Sequence, residues 1–380
     1  MAIRTWKGGS AAVAQIWKGT ITTTTAGHTY IVTLTDLNQS STTVVFTYTL
    51  VAGDTTTTIG AASFIAAWNN STAALVSAIT ATQSAGQVIL TADTAGAPFS
   101  AATSGTGTWS GTGNTTESNG PYDWNIPANW VENVVPVATN DVIIQSSNKI
   151  LYSLDQSAVA LGKITWSGFT GTTGAANLPL IVSVTAFLFN ASGVAYVNIG
   201  SSAIATRITG TASGGTGTYG LYLTGSAIST LTNEGGTIGV AVGLGQTSTI
   251  TTADNRSNGT MFLGVGTTLT TYNQTSGTGI VECAATTVSA DTGTLTINGV
   301  GAITTLNNGN AIGGATVYPN SSGTITTLNA KGGTTDFTRS RTARTVTTLN
   351  LYNGAAVVRD PAILTVTTLT QSDASTITAD

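Results

Sequence analysis

The sequence predicts a mainly β protein, with an N-terminal β-rich domain that contains an inserted ββαββ module and a parallel β-solenoid of about 20 residues per coil after it. Three observations predict this class. Apolar residues alternate with Thr and Ser along most of the 380 residues, as they do in strands. All seven Trp residues lie in the N-terminal part, none beyond Trp166. In the C-terminal part a near-identical pentad recurs about every 20 residues, which is typical of a solenoid.

The charge content excludes several classes of protein. Only 7% of the residues are charged and the formal net charge is −4, whereas an average soluble domain has about 25% charged residues. Coiled coils, nucleic-acid-binding domains and charged disordered tails all require many charges. Mean hydropathy is +0.23, but no apolar run approaches the roughly 18 residues of a membrane span. We therefore expect no nucleic-acid partner and no insertion into a membrane.

Cysteine and histidine each occur once. Cys283 lies in an alternating run and is predicted to be a small buried side chain, and His28 lies at the start of a strand. A single Cys excludes an intrachain disulfide. One Cys and one His cannot supply a zinc site or a nucleophile–base pair. We therefore predict no cofactor, no metal site and no catalytic residue, and expect that the protein is not an enzyme.

The ββαββ module is predicted from patterns in the first 100 residues. The predicted strands cover residues 29–34, 44–50, 76–82 and 87–92. A polar turn at residues 36–42 joins the first two strands, and a turn at residues 84–86 joins the last two. Asp54 is predicted to be the N-cap of a helix with apolar residues at helical spacing over residues 59–68.

These patterns divide the chain into three parts. Residues 1–17 and 106–165 form a Trp-rich N-terminal cap or attachment region, residues 18–105 form the inserted module, and residues 166–380 form the solenoid rod. Aromatic residues are enriched where a protein binds a fixed partner. The candidate attachment residues are Trp6, Trp17, Trp109, Trp124 and Trp130.

The pentad has the form Ile/Val-Thr-Thr-Leu followed by Asn or Thr. Its strongest copies begin at Ile303, Ile325, Val346 and Val366, and weaker copies begin at Ile228, Ile250 and Leu269. In a regular strand the two aliphatic residues of the pentad would point to opposite faces. Both point inward only if a corner or bulge lies between them. Stacked coils then predict aliphatic ladders inside and Thr or Asn ladders at the surface.

Short motifs at the N-terminal end resemble those of a family of phage-like structural proteins. Residues 6–9 form a Trp-x-Gly-Gly motif, and Trp109, Asn129-Trp130 and Val135-Pro136 follow it, with a strand from Asp141. In that family these motifs lead into a parallel β-helix. The resemblance covers roughly the part of the chain before the solenoid, where the inserted module separates the two parts of the motif. It implies a structural role in a virion.

The inserted module is similar to repeats in long phage tail proteins and bacterial surface proteins. In those repeats Ala-Gly-Asp-Thr, here residues 52–55, precedes the helix, and a segment like residues 90–99 closes the unit. The chain departs from the phage-like family at Asn140, which precedes Asp141 where that family has paired acids. A calcium-binding role implied by paired acids is therefore not carried over to this chain.

Lys and Arg residues cluster late in the sequence, with five of the twelve between positions 331 and 359. Among them Arg339, Arg341 and Arg344 are the candidate patch for an anionic ligand such as a phosphate, a sialic acid or an acidic polysaccharide. The alternative hypothesis is structural, and makes these residues a basic loop rim or one side of a salt bridge between subunits.

Together these features predict a non-enzymatic virion structural protein of a bacteriophage, either a tail fibre or spike or a capsid-decorating fibre. The first nine residues contain no secretory signal, which favours synthesis in the cytoplasm and location on the virion surface; a C-terminal export signal is the alternative. We expect the N-terminal region to bind capsid or tail proteins. We expect the rod to form a homotrimer and to contact host-surface polysaccharide.

Two other functions are weighed against this one. A bacterial or archaeal cell-surface adhesin or filament subunit has the same low charge and Thr content. A polysaccharide-degrading β-helix enzyme requires carboxylates about 5–10 Å apart, but the acids of the predicted solenoid do not repeat at the coil period. The pairs Asp336 with Arg339 and Asp360 with Arg359 are predicted to be surface ion pairs.

Overall fold

The computed structural model describes residues 2–37, 43–200, 204–208, 219–310, 313–352 and 354–379 of the chain. The chain divides into two compact units. The N-terminal unit comprises Trp6–Val135 and Asn148–Leu154. The solenoid unit comprises Met1–Thr5, Pro136–Ser147 and Asp155–Asp380.

The N-terminal unit is built from two antiparallel sheets and a helix. After β1 (Ile3–Trp6), its elements are β2 (Ile16–Ile21), β3 (Thr29–Asp36), β4 (Thr43–Thr49), α1 (Thr57–Asn69), a 3-10 turn (Val76–Ala78), β5 (Ile79–Ser84), β6 (Gln87–Ala92), β7 (Phe99–Ser104), β8 (Trp109–Thr116) and a 3-10 turn (Pro127–Asn129). One sheet has the strand order β5-β6-β2-β8, and the other has the order β4-β3-β7.

Alternation of apolar and polar residues gives these strands one buried face, which packs on α1. Phe64 and Trp68 of the helix are fully buried and stack with ring centroids 5.9 Å apart. The indole Nε1 of Trp68 donates to the carbonyl oxygen of Ile79 at 2.8 Å. The helix is therefore held by both apolar packing and a hydrogen bond to the start of β5.

The predicted strands and helix of the module are confirmed as β3, β4, α1, β5 and β6, except that residues 76–78 of the third predicted strand form a 3-10 turn before β5. Of the first predicted turn, residues 38–42 lie outside the described residues. In the second turn Ala85 and Gly86 have φ values of 49° and 81°. Two successive residues with positive φ form the tight turn whose twist matches that of an antiparallel hairpin.

The helix N-cap is Thr56 and not the predicted Asp54. The Thr56 side chain accepts a hydrogen bond from the backbone N–H of the third helical residue at 3.2 Å. Asp54 is buried instead, and accepts hydrogen bonds from the hydroxyls of Tyr48 at 2.9 Å and Ser63 at 2.6 Å and from the backbone N–H of Val51 at 2.9 Å. Because the helix begins at residue 57, Asp54 lies too far before its first turn to be the N-cap. Its hydrogen bonds to Tyr48 and Ser63 instead connect β4 to the helix.

The structure divides the N-terminal region differently from the predicted boundaries at residues 17/18 and 105/106. Strands β2 and β8, which begin and end near those boundaries, belong to the same sheet as β5 and β6. Trp17 of β2 pairs with Leu90 on one side and Asn114 on the other. The module and the Trp-rich region therefore share one unit, because a two-stranded hairpin needs further strands for stability.

The solenoid unit is a parallel β-solenoid of about 10 turns with roughly 21 residues per coil. Its strands up to the middle are β9 (Asp141–Ile144), β10 (Asp155–Ser167), β11 (Thr172–Thr173), β12 (Leu180–Asn190), β13 (Val194–Ile199), β14 (Ile204–Ile208), β15 (Leu221–Asn233), β16 (Thr237–Val240), β17 (Ser248–Asn255), β18 (Thr260–Leu263) and β19 (Thr267–Gln274). The later strands are β20 (Thr278–Val281), β21 (Ala285–Ala290), β22 (Thr294–Ile297), β23 (Ile303–Asn308), β24 (Thr316–Pro319), β25 (Ile325–Ala330), β26 (Thr334–Asp336), β27 (Arg344–Leu351), β28 (Ala356–Arg359), β29 (Leu364–Gln371) and β30 (Thr376–Ala379).

The pentad repeat is the coil repeat. Ile303 pairs with Ile325, Ile325 with Val346, and Val346 with Val366 on successive coils. The predicted solenoid and its register are therefore confirmed in this part of the chain. The parallel ladder starts before the predicted residue 166, since β9 and β10 already pair with each other.

The corner expected within the pentad is present. Ile303 and Leu306 are both buried, whereas Thr304 is exposed and Thr305 is half-buried. The inter-coil pairing omits Thr304 and resumes at Thr305. Two outward Thr residues in succession therefore mark a bend that lets both aliphatic residues enter the core.

One rung was not found from the sequence. Ala285 pairs with Leu269 on one side and with Ile303 on the other, so it begins a pentad. This copy is hard to find in the sequence because it begins with a small side chain and lies only 16 residues after Leu269, whereas the repeat is about 20 residues. Cys283, just before it, is buried as predicted.

Buried amides stabilise the corners that follow the long strands. Asn233, Asn255 and Gln274 occupy successive inward positions of one ladder. The Nδ2 of Asn255 donates to the carbonyl oxygens of Gly259 at 3.1 Å and Thr278 at 2.9 Å, and its Oδ1 accepts from Asn233 at 3.0 Å. These bonds hold the side chain to the turning backbone, where the carbonyl oxygen of Gly259 also accepts from the backbone N–H of Thr278 at 2.9 Å.

Glycine is required at the corners themselves. Gly277 and Gly293 both have φ of 82° and lie on adjacent coils. A Cβ atom on Gly293 would lie 2.2 Å from the carbonyl oxygen of Gly277. The coils approach each other this closely only because the corner residues have no side chain.

Candidate functional site

Three of the candidate attachment residues form one buried cluster in the N-terminal unit. The ring centroid of Trp130 lies 4.8 Å from that of Trp124 and 5.2 Å from that of Trp6, both edge to face. Nε1 of Trp130 donates to the carbonyl oxygen of Trp124 at 2.8 Å, and Nε1 of Trp6 donates to that of Asn148 at 3.3 Å. All three rings are at most 1% exposed, so they form a small core.

The other two candidates lie in the core of the sheets. Trp17 is buried and packs against the half-buried Trp109 with centroids 6.0 Å apart. Trp109 also contacts Tyr30 and Phe64 edge to face. Burial of such large rings supplies much of the apolar stabilisation of a small unit. The five Trp residues are therefore structural, and the attachment role of the surrounding surface stays a prediction.

The thiol of Cys283 is buried and protonated, which is unfavourable for catalysis or metal binding. Burial raises the pKa of its thiol to about 12, so at neutral pH the reactive thiolate form is scarce. Among the described residues no group of three or more His, Cys, Asp and Glu side chains is positioned to hold a metal ion. Over the same residues no helix is long and apolar enough to cross a membrane.

The arginines of the predicted anionic-ligand patch lie in and beside the loop between β26 and β27. Arg339 and Arg341 are exposed. The guanidinium carbon of Arg339 lies 3.4 Å from the ring centroid of Tyr318, on the preceding coil. Arg344 begins β27 and is only 4% exposed. The patch therefore combines two surface cations with one buried cation.

The backbone of the loop holds the guanidinium of Arg344. Its Nε donates to the carbonyl oxygen of Thr342 at 3.0 Å, and its Nη2 donates to the carbonyl oxygens of Ser340 at 2.8 Å and Thr342 at 2.9 Å. The Nη1 atom is buried and has no hydrogen-bond partner. Burial lowers the pKa of Arg344. This residue was predicted to be part of a surface patch, and the structure places it in the interior.

The predicted ion pairs at Asp336 and Asp360 are wrong. Oδ1 of Asp336 accepts hydrogen bonds from the backbone N–H and the hydroxyl of Thr338, at 2.8 and 2.7 Å. Oδ1 of Asp360 accepts from the backbone N–H of Ala362 at 2.8 Å. Short polar side chains favour such local turn bonds over long-range pairing. Both carboxylates therefore stabilise turns.

Sequence reasoning missed a polar recess on the solenoid. Its lining residues are Asp254, Arg256, Asn273, Gln274, Thr275, Ser289 and Asp291. Asp254 accepts from Arg256 at 3.1 Å and from Asn273 at 2.9 Å, and Arg256 also lies 3.7 Å from Glu234. Because both oxygens of Asp254 already have protein partners, it is poorly placed to act as an acid or a nucleophile. Only the coil register brings these distant residues together.

Stacked tyrosines mark another outward face of the solenoid. Tyr196 and Tyr222 pair on successive coils and stack with centroids 4.5 Å apart and planes 16° apart. Tyr219 packs against Tyr222 and Phe262. The stacked rings turn their faces toward one another. This ladder therefore stabilises the stacking of coils and offers mainly ring edges to solvent.

The outer ladder of the pentads follows the prediction. Asn329 donates to Asn307 at 3.0 Å, and Asn307 donates to Ser289 at 3.1 Å, each to the preceding coil. Thr305 and Thr327 form a parallel column of hydroxyl-bearing residues beside these amides. From Ser289 onward this ladder is polar and uncharged, and on the preceding coils it continues through Asn273 to Asp254.

Neither a protein-family model nor a curated protein sequence matches this chain.

Proposed function

We propose that the chain is a non-enzymatic structural protein of a bacteriophage particle, a tail fibre or spike or a capsid-decorating fibre. In this proposal the N-terminal region attaches to capsid or tail proteins and the solenoid projects for adhesion to a host surface. The observation that supports it best is the stack of about 10 coils held together by amide ladders inside and outside. Such a stack grows by nearest-neighbour contacts.

The chemistry of the surface supports a role outside the cell. The amides of the outer ladder bond to one another, and the exposed pentad positions are hydroxyls, so few charges are present to respond to salt or pH. Backbone groups within the stack pair with the coils before and after. This pairing limits local opening and hence cleavage by proteases.

The carboxylates support a non-enzymatic protein over a polysaccharide-degrading enzyme. Asp336 and Asp360 accept hydrogen bonds within turns, and Asp254 is paired with Arg256 and Asn273. A glycoside hydrolase requires one carboxylate free to donate a proton and another free to attack or to activate water. Loss of polysaccharide-degrading activity on substitution of Asp254 by Asn would contradict this part of the proposal.

Location tests the proposal directly. Antibodies against the chain are used to probe a density gradient of a producing culture, and immunogold labelling locates the protein on particles or on cells. We expect the protein in the particle fraction, with a C-terminal tag labelled away from the particle surface. Label on the cell envelope with none on particles would support the cell-surface adhesin instead and overturn the virion proposal.

The mass in solution tests the proposed homotrimer. Light scattering on the purified full chain is expected to give three times the chain mass of 38.1 kDa. A monomer over the whole concentration range would contradict the homotrimer.

A further inference from the structure

We propose that the loop between β26 and β27, together with Arg344 and Arg359, binds the oxyanion groups of an acidic polysaccharide, that is, its carboxylates, sulfates or phosphate esters. The choice of a polysaccharide as the ligand rests on the proposed adhesive function. The anion site itself rests on contacts within the solenoid unit.

Arg344 is buried without a counter-charge. It is 4% exposed, and its three hydrogen bonds to Ser340 and Thr342 go to neutral carbonyl oxygens. Its Nη1 is buried with no partner. A buried cation that lacks a carboxylate carries a large desolvation penalty. An anion bound at this loop would offset part of that penalty through its charge.

A second cation, Arg359 on the next coil, is half-buried. Nε of Arg359 is buried and has no hydrogen-bond partner. Arg359 directly follows Val358, whose carbonyl oxygen accepts from the backbone N–H of Phe337 at 2.9 Å. The guanidinium carbon of Arg344 lies 5.9 Å from the ring centroid of Phe337. The coil register therefore brings Arg344 and Arg359 to the same corner of the solenoid.

The exposed part of the loop adds two more cations. The guanidinium carbon of Arg339 lies 3.4 Å from the ring centroid of Tyr318, and this cation–π contact holds the charge at the surface beside the loop. Arg341 is exposed two residues later. Guanidinium edges bind carboxylate, sulfate and phosphate oxygens in a two-pronged manner. A ligand at the surface would thus meet two exposed guanidinium groups.

The acids nearest in the sequence form no ion pair with these arginines among the described residues. Asp336 and Asp360 each accept hydrogen bonds from their own turns. Within the described residues, Arg339, Arg341, Arg344 and Arg359 form no ion pair, in contrast to Arg256, which lies against Asp254 and Glu234. Four unpaired cations at one corner of a chain with a net charge of −4 favour an anionic ligand.

A polymer fits this arrangement better than a single ion. Arg339 and Arg341 are exposed, Arg359 is half-buried and Arg344 is buried, so the four charges lie at different depths. A chain with repeated anionic groups contacts several of them at once, and each further contact raises the effective concentration for the next.

The test is calorimetric titration of the purified full chain with dextran sulfate, polysialic acid, uncharged dextran and inorganic sulfate. We expect the two acidic polymers to bind and uncharged dextran not to bind. Affinity should fall at least tenfold when the salt concentration is raised from about 50 mM to about 300 mM, because salt screens exposed charges. The double substitution Arg339→Ala with Arg341→Ala should weaken binding at least tenfold, since both side chains are exposed and their removal leaves the core intact.

The matched control is Arg256→Ala, which removes the same charge from the solenoid at a residue that already has carboxylate partners. We expect it to leave the affinity for dextran sulfate unchanged. Arg344→Met should abolish binding, with circular dichroism to verify that the coils remain folded.

Three outcomes would overturn the proposal. These are unchanged affinity in the double variant, an equal loss in Arg256→Ala, and inorganic sulfate binding as tightly as dextran sulfate, which would assign the loop to a free ion. The location experiment is independent of the titration. Failure to bind any anion by a protein found on particles would reject this site alone, and binding by a protein absent from particles would reject only the proposed virion function.

Discussion

Asn350 donates a hydrogen bond from its Nδ2 to the Oδ1 of Asn329, one coil earlier, at 2.9 Å. Asn329 donates in the same way to Asn307 at 3.0 Å. The middle amide is therefore a donor to one coil and an acceptor from the next. A shift of one residue between coils would break both bonds and turn the aliphatic residues outward, so the ladder and the core select the same register.

We predict that Asn329→Ala lowers the free energy of unfolding by about 1–3 kcal/mol, since it removes two side-chain hydrogen bonds worth roughly 0.5–1.5 kcal/mol each. Thermal and guanidinium unfolding followed by circular dichroism measures the change. Thr327→Ala, an outward position on the same strand, is the control and should cost less than half as much. Equal losses in the two variants would show that the amide ladder contributes little.

The glycine corners give a second prediction, on stability. Gly293→Ala should destabilise the solenoid strongly, because the added Cβ would lie 2.2 Å from the carbonyl oxygen of Gly277. Gly245→Ala is the matched control, with a similar φ of 77° and no heavy atom within 4 Å of the added Cβ. In the control, the free energy of unfolding should fall by only about 1–2 kcal/mol, because alanine is disfavoured in the left-handed backbone conformation. Melting temperatures that fall equally would rule out the close approach of the coils.

The third prediction concerns Cys283. Burial raises the pKa of this thiol to about 12, so we expect no reaction with a thiol reagent at pH 8 in the folded protein and full reaction in guanidinium. The folded thiol keeps its proton above the unfolded pKa of about 8.5. The stability that it contributes is therefore present below about pH 8.5 and is lost as the pH rises toward 12. Rapid labelling of the folded protein would contradict this burial.

The fourth prediction concerns acid stability of the N-terminal unit. Burial alone would raise the pKa of Asp54, but the hydrogen bonds from Ser63, Val51 and Tyr48 outweigh burial and lower the pKa. Its contribution to stability is present above the unfolded pKa of about 3.9 and is lost as the pH falls through the lower folded value. Asp54→Asn should remove this acid dependence and cost roughly 1.5–3 kcal/mol at neutral pH.

The control for that experiment is Asp93→Asn. Asp93 accepts hydrogen bonds from Thr80, but in an exposed position. We expect this substitution to change the midpoint of unfolding by less than half the effect of Asp54→Asn. Urea unfolding followed by tryptophan fluorescence gives the free energy of unfolding at each pH. If this free energy changes with pH between pH 2 and 5 in Asp54→Asn as it does in the unsubstituted chain, the role assigned to Asp54 is contradicted.

The solenoid was predictable because the sequence pattern that specifies it lies within single strands and is repeated from coil to coil. Each pentad carries the same alternation, so the sequence predicts that Ile303 and Ile325 occupy equivalent rungs, and the structure pairs them. The strands of the inserted module were predictable for the same reason. The copy at Ala285 was missed because a small residue weakened the pattern, although its neighbours on both sides determine its register.

The sequence by itself thus determined the fold class, the coil repeat, the inward and outward positions of each pentad and the cluster of arginines. Only the tertiary structure decided which polar groups are buried and which meet. It placed Arg344 in the interior without a carboxylate, brought Asp254 and Asp291 to one recess, and buried Trp6 in a core. The physical reason is the distance along the sequence over which each property is decided. Alternation depends on neighbours along one strand, whereas burial and pairing depend on how coils and sheets stack residues that are distant in the sequence.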